Sequence, residues 1–376
     1  VLLGSLLYYL SPRLRKIALS NLALSDLALT EVEIRRMARR SLGHLITTYL
    51  EYPRLARLKK ASEIAYCVNP EEAERLIASG QGVIFFCGHQ SNWELLFLEG
   101  TSRMPGVAIG RPVRQKQLYR WVVSIREKFG GKVILPKEAV KEGLRALRSG
   151  KFLGVVGDQG MPDQGYRAPF LGRMAYTSPL PALLCYRTGA PLMTATIHRE
   201  NERGGHHYQI RYSAPIWPDR TKSSEEEIPR LMREASTFLE SGIRAHPDQW
   251  LWAHNRWKQQ SLGTIKRRYR YDSLLVVLGK QVEPLVPLIQ QLRRLYPQEL
   301  FAIWAEEGSQ LPDLPEVELR YYRSLDELMK PDLRYKLLFN FSGSRALTRQ
   351  LKRGAVIEAL EIEDNEELMR RICHAR

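Results

Sequence analysis

The chain has 376 residues and 44% hydrophobic content, enough for one large domain or two, each with a full core. Its 57 Lys and Arg against 41 Asp and Glu leave a net charge of +16, which calls for an anionic partner such as nucleic acid, an anionic membrane surface or an acidic carrier protein. Four scattered cysteines, Cys67, Cys87, Cys185 and Cys373, form no C-x2-C pair; this argues against a disulfide framework or a zinc site and fits a reducing compartment.

No internal apolar run approaches the roughly 20 residues that span a bilayer. The first ten residues, VLLGSLLYYL, are apolar but too short, and the chain opens on Val. We expect the numbering to begin inside a longer apolar segment, an ordinary core helix being the other reading. Residues 11–60 read as helical and basic. Thr30 and Glu33 make a capping box, and Ile34, Met37, Ala38, Leu42, Leu45 and Ile46 recur on one helical face. Residues 1–60 carry eleven Lys and Arg against four Asp and Glu, with Arg13, Arg15 and Lys16 directly after the apolar start. That arrangement holds a protein on an anionic leaflet, each cation adding about 1 kcal/mol, although a solvated helix face has the same pattern. The expectation is a basic amphipathic membrane-associating region over 1–60.

From 61 to 263 strand-like runs at 83–87, 106–110, 132–135, 152–156, 192–197 and 207–213 alternate with helical stretches, including 117–128, 138–148 and 181–188. Such alternation predicts an α/β fold, a layered and mostly parallel sheet flanked by helices, with active groups at the carboxyl ends of its strands. After a basic linker at 264–270 the alternation resumes, with strands at 273–279, 300–306, 317–323, 336–342 and 355–362 and a helix from Arg345. Residues 271–376 thus read as a second, smaller α/β domain of Rossmann-like pattern. It contains neither G-x-G-x-x-G nor G-x4-G-K-[ST], so a nucleotide role has no motif behind it.

The stretch with the most chemistry follows strand 83–87: Gly88-His89-Gln90-Ser91-Asn92-Trp93-Glu94. A carboxylate near an imidazole can fix its tautomer while the other ring nitrogen takes a proton from a hydroxyl. The same two residues can also form a capping or surface pair. GHQSNWE resembles the GHxxNWE box, with its H-x4-D/E core, of the lysophospholipid acyltransferase superfamily, and in particular the late acyltransferases of lipid A biosynthesis. Further boxes follow in order. Arg111-Pro112-Val113-Arg114 resembles the family's strand ending in Arg-Pro, whose guanidinium binds a phosphate or polar head group, as planar Arg does well. Arg126 before Gly130 matches a less specific Arg-x-x-x-Gly element. Asp158-Gln159 resembles an Asp-Gln box whose side chains position the dyad or bind a hydroxyl; they are equally ordinary turn formers. The segment 247–257, with Trp250, Trp252 and Trp257, resembles the late acyltransferases' Pro-x-Gln-Trp/Tyr-x-Trp signature, where core packing is the plainer duty. The resemblance covers about 10–260. Gln90-Ser91 departs from the small or apolar residues often found there, and 271–376 lies outside the usual catalytic unit.

The resemblance implies acyl transfer from a thioester to a hydroxyl, with His89 as general base and Glu94 as its orienter. Asn92 or backbone N–H groups would meet the oxyanion, and Arg111, Arg114, Arg126, Asp158 and Gln159 would bind substrate. No cofactor or metal is called for. It implies acyl carrier protein as donor and a lipid A precursor as acceptor at the cytoplasmic face of a bacterial inner membrane. Both are acidic, which suits the basic chain, and an anionic membrane surface is a third partner. Acyl-CoA transfer to another glycolipid or glycerolipid is the nearest alternative, and a non-catalytic basic membrane scaffold the alternative of another class. A serine hydrolase would need G-x-S-x-G, which is absent, and no nucleic-acid-binding module is visible.

Overall fold

The computed structural model describes residues 2–163, 165–200, 207–260 and 263–374; Val1, the first residue of the apolar start, lies outside them. The chain packs as two compact units that interleave in sequence. The first takes Val1–Leu7, Arg39–Asp158 and Thr177–Leu251; the second takes Tyr8–Ala38, Gln159–Tyr176 and Trp252–Arg376.

In the first unit, β1 (Ala65–Cys67), β2 (Val83–Cys87), β3 (Gly106–Ile109), β4 (Lys132–Ile134), β5 (Phe152–Val156), β8 (Leu192–Arg199) and β9 (Tyr208–Tyr212) form one sheet in the order β1-β9-β8-β2-β5-β3-β4. Between β5 and β8 along the chain, β6 (Tyr166–Phe170) and β7 (Arg173–Thr177) form a separate two-stranded sheet that belongs, but for Thr177, to the second unit. The seven-stranded sheet is parallel except where β8 meets β9. Every residue of β2 is buried, as expected of a central strand covered on both faces, whose sequence is a continuous apolar run. Five helices carry the connections, α4 (Glu71–Ala78), α5 (Glu94–Arg103), α6 (Lys116–Arg126), α7 (Ala139–Arg148) and α8 (Leu180–Thr188), and α9 (Ser224–Ala245) comes after β9. They follow α1 (Leu2–Leu10), α2 (Pro12–Ala23) and α3 (Glu31–Arg57). One core layer runs from Leu55 of α3 and Leu58 just after it through Leu95 and Leu98 of α5 to Phe85 and Phe152 on the sheet.

The expected capping box starts α3: the Thr30 N–H donates to Glu33 Oε2 at 2.8 Å, and the Glu33 N–H to Thr30 Oγ1 at 3.4 Å.

The second unit has its own parallel sheet of β10 (Ser273–Leu278), β11 (Leu300–Glu306), β12 (Val317–Tyr322), β13 (Leu337–Phe341) and β14 (Glu358–Leu360), in the order β12-β11-β10-β13-β14. Its remaining helices are α10 (Val286–Leu295), α11 (Arg345–Arg353) and α12 (Asn365–Ile372). Apolar clusters cover both faces. The strand predicted over 355–362 is shorter, because Ile357 and Glu358 already turn their N–H groups to the Lys336 carbonyl at the edge of β13. Residues 8–38 belong to this unit, and three of their cations make contacts within it. Lys16 Nζ donates to the Val356 carbonyl at 2.7 Å, Arg13 lies 5.9 Å from the Tyr271 ring centre, and Arg15 lies over Tyr8. Lys336, fully buried, donates to Asn21 and to Asp272, which also pairs with Arg173 at 2.8 Å. Among the described residues no helix is long and apolar enough to cross a membrane.

Candidate active site

The corner after β2 is built around Asp158. Cys87 pairs with Val156 in parallel register, so the chain leaves β2 and β5 at the same level and His89 meets Asp158 two residues beyond each strand. The imidazole Nδ1 lies 2.5 Å from Asp158 Oδ1. The other carboxylate oxygen accepts from the His89 backbone N–H at 2.7 Å and from Trp250 Nε1 at 2.8 Å. A carboxylate only accepts, so Nδ1 carries the proton of the neutral ring and Nε2 is its basic nitrogen. Gly88 leaves room for the carboxylate: a Cβ there would stand 3.0 Å from Asp158 Oδ2 and 2.9 Å from Leu239 Cδ1, so these side chains would have to shift.

The loop is clamped from outside as well. Ser91 holds a left-handed φ of 43°, unusual for a residue with a side chain. Its N–H donates to the Gln249 carbonyl at 2.6 Å, and its own carbonyl accepts from Thr48 Oγ1 at 2.8 Å. The Leu251 N–H donates to the His89 carbonyl at 3.0 Å. The segment 249–251 therefore fixes both the loop and, through Trp250, the carboxylate.

The pairing of His89 with Glu94 expected from the sequence gives way to this arrangement. Glu94 opens α5 and receives two parallel bonds from Arg126 of α6, Nε to Oε2 at 2.7 Å and Nη2 to Oε1 at 2.6 Å. Register brings Asp158 to the ring nitrogen, whereas the five-residue step to Glu94 rounds a corner and turns its carboxylate toward α6. Glu94 still acts on His89 through charge. Burial alone would lower the imidazole pKa, but the charge and hydrogen bond of Asp158, with a smaller contribution from Glu94, raise it above its ordinary value; Arg111 opposes them.

Asn92 is fully buried, and its Nδ2 donates to Glu51 Oε2 at 2.7 Å. Glu51 of α3 also receives Arg199 at 3.0 Å and the Tyr208 hydroxyl at 2.6 Å. The amide donor suggested for an oxyanion is therefore engaged in holding the loop to α3. Glu51 escaped the sequence reading, although its place four residues before Leu55 and seven before Leu58 puts a carboxylate on an apolar helical stripe. Arg111 and Arg114 lie exposed beyond β3. Gln159, next along the chain, is half-buried and belongs to the second unit. Trp252, Arg256 and Trp257 are in that unit's interior, where Arg256 lies over Phe170 and Trp257 Nε1 donates to the Phe170 carbonyl; they pack.

An apolar cavity of about 50 Å³ lies between α5 and the sheet, lined by residues that include Phe85, Cys87, Trp93, Phe97, Phe152 and Tyr212. The Trp93 ring stands edge-on to His89 with centres 4.9 Å apart, so this space and the imidazole share a wall. Burial, and secondarily the Asp158 charge, push the Cys87 thiol up to about 12, which removes it as a nucleophile. A larger depression of about 420 Å³, lined by Asn69, Arg75 and Pro215 among others, includes none of the His89 cluster. Among the described residues no group of His, Cys, Asp and Glu could hold a metal ion.

The site therefore presents an oriented base beside apolar space, with cations at its edge. No curated protein matches the chain. The sequence profile described as bacterial lipid A biosynthesis acyltransferase matches residues 2–259, and the chain belongs to that family.

Proposed function

We propose that this acyltransferase moves a fatty acyl group from an acyl carrier protein thioester to a hydroxyl of a lipid A precursor, a late acylation of lipopolysaccharide synthesis at the cytoplasmic face of the inner membrane. The observation that carries this reading is the His89–Asp158 pair at the strand ends beside an apolar cavity. His89 Nε2 takes the proton as the acceptor oxygen attacks the thioester carbon; the C–S bond then breaks and the imidazolium returns the proton to the leaving thiolate. Asp158 holds the tautomer and stabilises the imidazolium, while Glu94 and Arg126 form a rigid charged wall beside it. Arg111 and Arg114 meet phosphate, and backbone N–H groups at the start of α5 receive the oxyanion. The cavity takes the first methylenes of the chain, and the rest requires α5 and its aromatic side chains to part from the sheet.

Net positive charge supports an acidic carrier and a phosphorylated acceptor. Mass spectrometry of lipid made when the chain is expressed in a strain without late acyltransferases tests the reading. The expected result is one added acyl group, lost with His89→Ala; an unaltered lipid alongside transfer from acyl-CoA to a glycerolipid would overturn it.

A further inference from the structure

Helix α6 carries an apolar stripe, Leu118, Trp121, Val122 and Ile125, at the spacing of one helical face. Its inner half is core: Val122 and Ile125 are 7% and 3% exposed. Its outer half is not, because Leu118 and Trp121 are 42% and 40% exposed, and Val113 just before the helix is 42% exposed. The stripe thus runs out of the protein into solvent. Residues 111–118 are exposed without a break, and 111–121 contain Arg111, Arg114, Lys116 and Arg120 with no acidic residue. Among the described residues none of these four cations forms an ion pair with a carboxylate.

The same rim continues onto α3. Tyr52 packs against Trp121 with ring centres 5.9 Å apart, and Tyr49, one turn earlier on the same face, is 58% exposed. Partial burial first, and then the Glu94 charge, raise the Tyr49 hydroxyl pKa while Arg126 opposes, which puts Tyr49 next to the ion pair of the site.

We propose that this rim, residues 111–121 with Tyr49, docks on the surface of an anionic lipid bilayer and sets the mouth of the His89 site against the lipid. Interfacial elements combine aromatic and aliphatic groups that sink to the headgroup boundary with cations that meet the phosphates, and large exposed apolar groups clustered at one edge are otherwise uncommon on a soluble surface. An acidic carrier protein would account for the four cations; the exposed Val113, Leu118, Trp121 and Tyr49 among them favour a bilayer. Arg13, Arg15 and Lys16, the cations first expected to serve as anchor, make contacts within their own unit. The proposal adds a place of docking to the function above and rests on that reading only for its consequence in turnover.

Co-sedimentation of the full chain with phosphatidylcholine vesicles, with and without phosphatidylglycerol, tests it. The native protein should bind the anionic vesicles, less so in high salt. Lys116→Glu with Arg120→Glu should lower that affinity by at least about twentyfold, roughly fivefold for each cation removed. Leu118→Asp alone should lower it severalfold with an unchanged melting temperature. All three substitutions should spare transfer to a detergent-dispersed acceptor while slowing transfer to an acceptor in vesicles. Undiminished vesicle binding by the triple variant would overturn the proposal. So would loss of binding to an acidic carrier protein with vesicle binding intact, which would assign the rim to a protein partner. Vesicle binding is read without turnover, so an inactive wild type would sink the proposed reaction and leave the docking result to stand or fall by itself.

Discussion

His89 and Asp158 each stand two residues past the end of neighbouring parallel strands, and the register of Cys87 with Val156 brings them face to face. Asp158→Asn keeps the shape but leaves an amide that can donate to Nδ1 and favour the wrong tautomer. We expect acyl transfer to fall about 10³ to 10⁴-fold, as much as with His89→Ala. Glu94→Gln should cost about one to two powers of ten, since its charge acts on the ring from further away. Equal losses from the two carboxylate variants, measured as kcat/KM, would contradict the assignment of Asp158 as orienter.

The raised imidazole pKa sets a pH dependence. A general base works deprotonated, so kcat/KM should rise with pH through an apparent pKa above 6.5, the ordinary value for the ring. Stability has the opposite sign: the His89–Asp158 contribution is complete below the unfolded-state pKa and fades as pH climbs through the raised one. Glu94→Gln should move the activity midpoint slightly down. A midpoint unmoved in that variant, read from full pH profiles, would remove Glu94 from the electrostatics of the base.

Glu51 gathers Asn92, Arg199 and Tyr208 in the interior. Glu51→Leu leaves Arg199 buried without its carboxylate, so we expect a loss of about 3 kcal/mol in urea unfolding. The double variant with Arg199→Met should lose less than the single one. A double variant as unstable as the sum of the two singles would show that the charges do not act as a pair.

Asp272 joins Lys336 to Arg173 inside the second unit. Burial foremost pulls the Lys336 pKa down to about 8, so this lysine depends on the carboxylate for its charge. Asp272→Asn should destabilise the chain by about 3 to 5 kcal/mol, and Lys336→Met, which still leaves Arg173 on Asp272, by less. Chemical denaturation of both variants gives the order.

The central strands were legible because burial on both faces makes them uniformly apolar: 83–87, 152–156 and 300–306 agree with the structure at both ends. Asp158 was singled out for positioning the dyad, but the orienting role went to Glu94, the nearest carboxylate in sequence, whereas Asp158 arrives from 69 residues away through strand order. Short β1, with three residues, carries too little periodicity to read. Glu51 looked like one more charge on a basic helix until α3 was seen to turn it inward.

The second unit draws on three separate stretches of chain, Tyr8–Ala38, Gln159–Tyr176 and Trp252–Arg376. A stop codon after the acyltransferase signature would therefore not trim an ornament. It would take Lys336 from Asn21, the Val356 carbonyl from Lys16 and Asp272 from Arg173. A chain shortened there should unfold at lower urea concentration than the whole one.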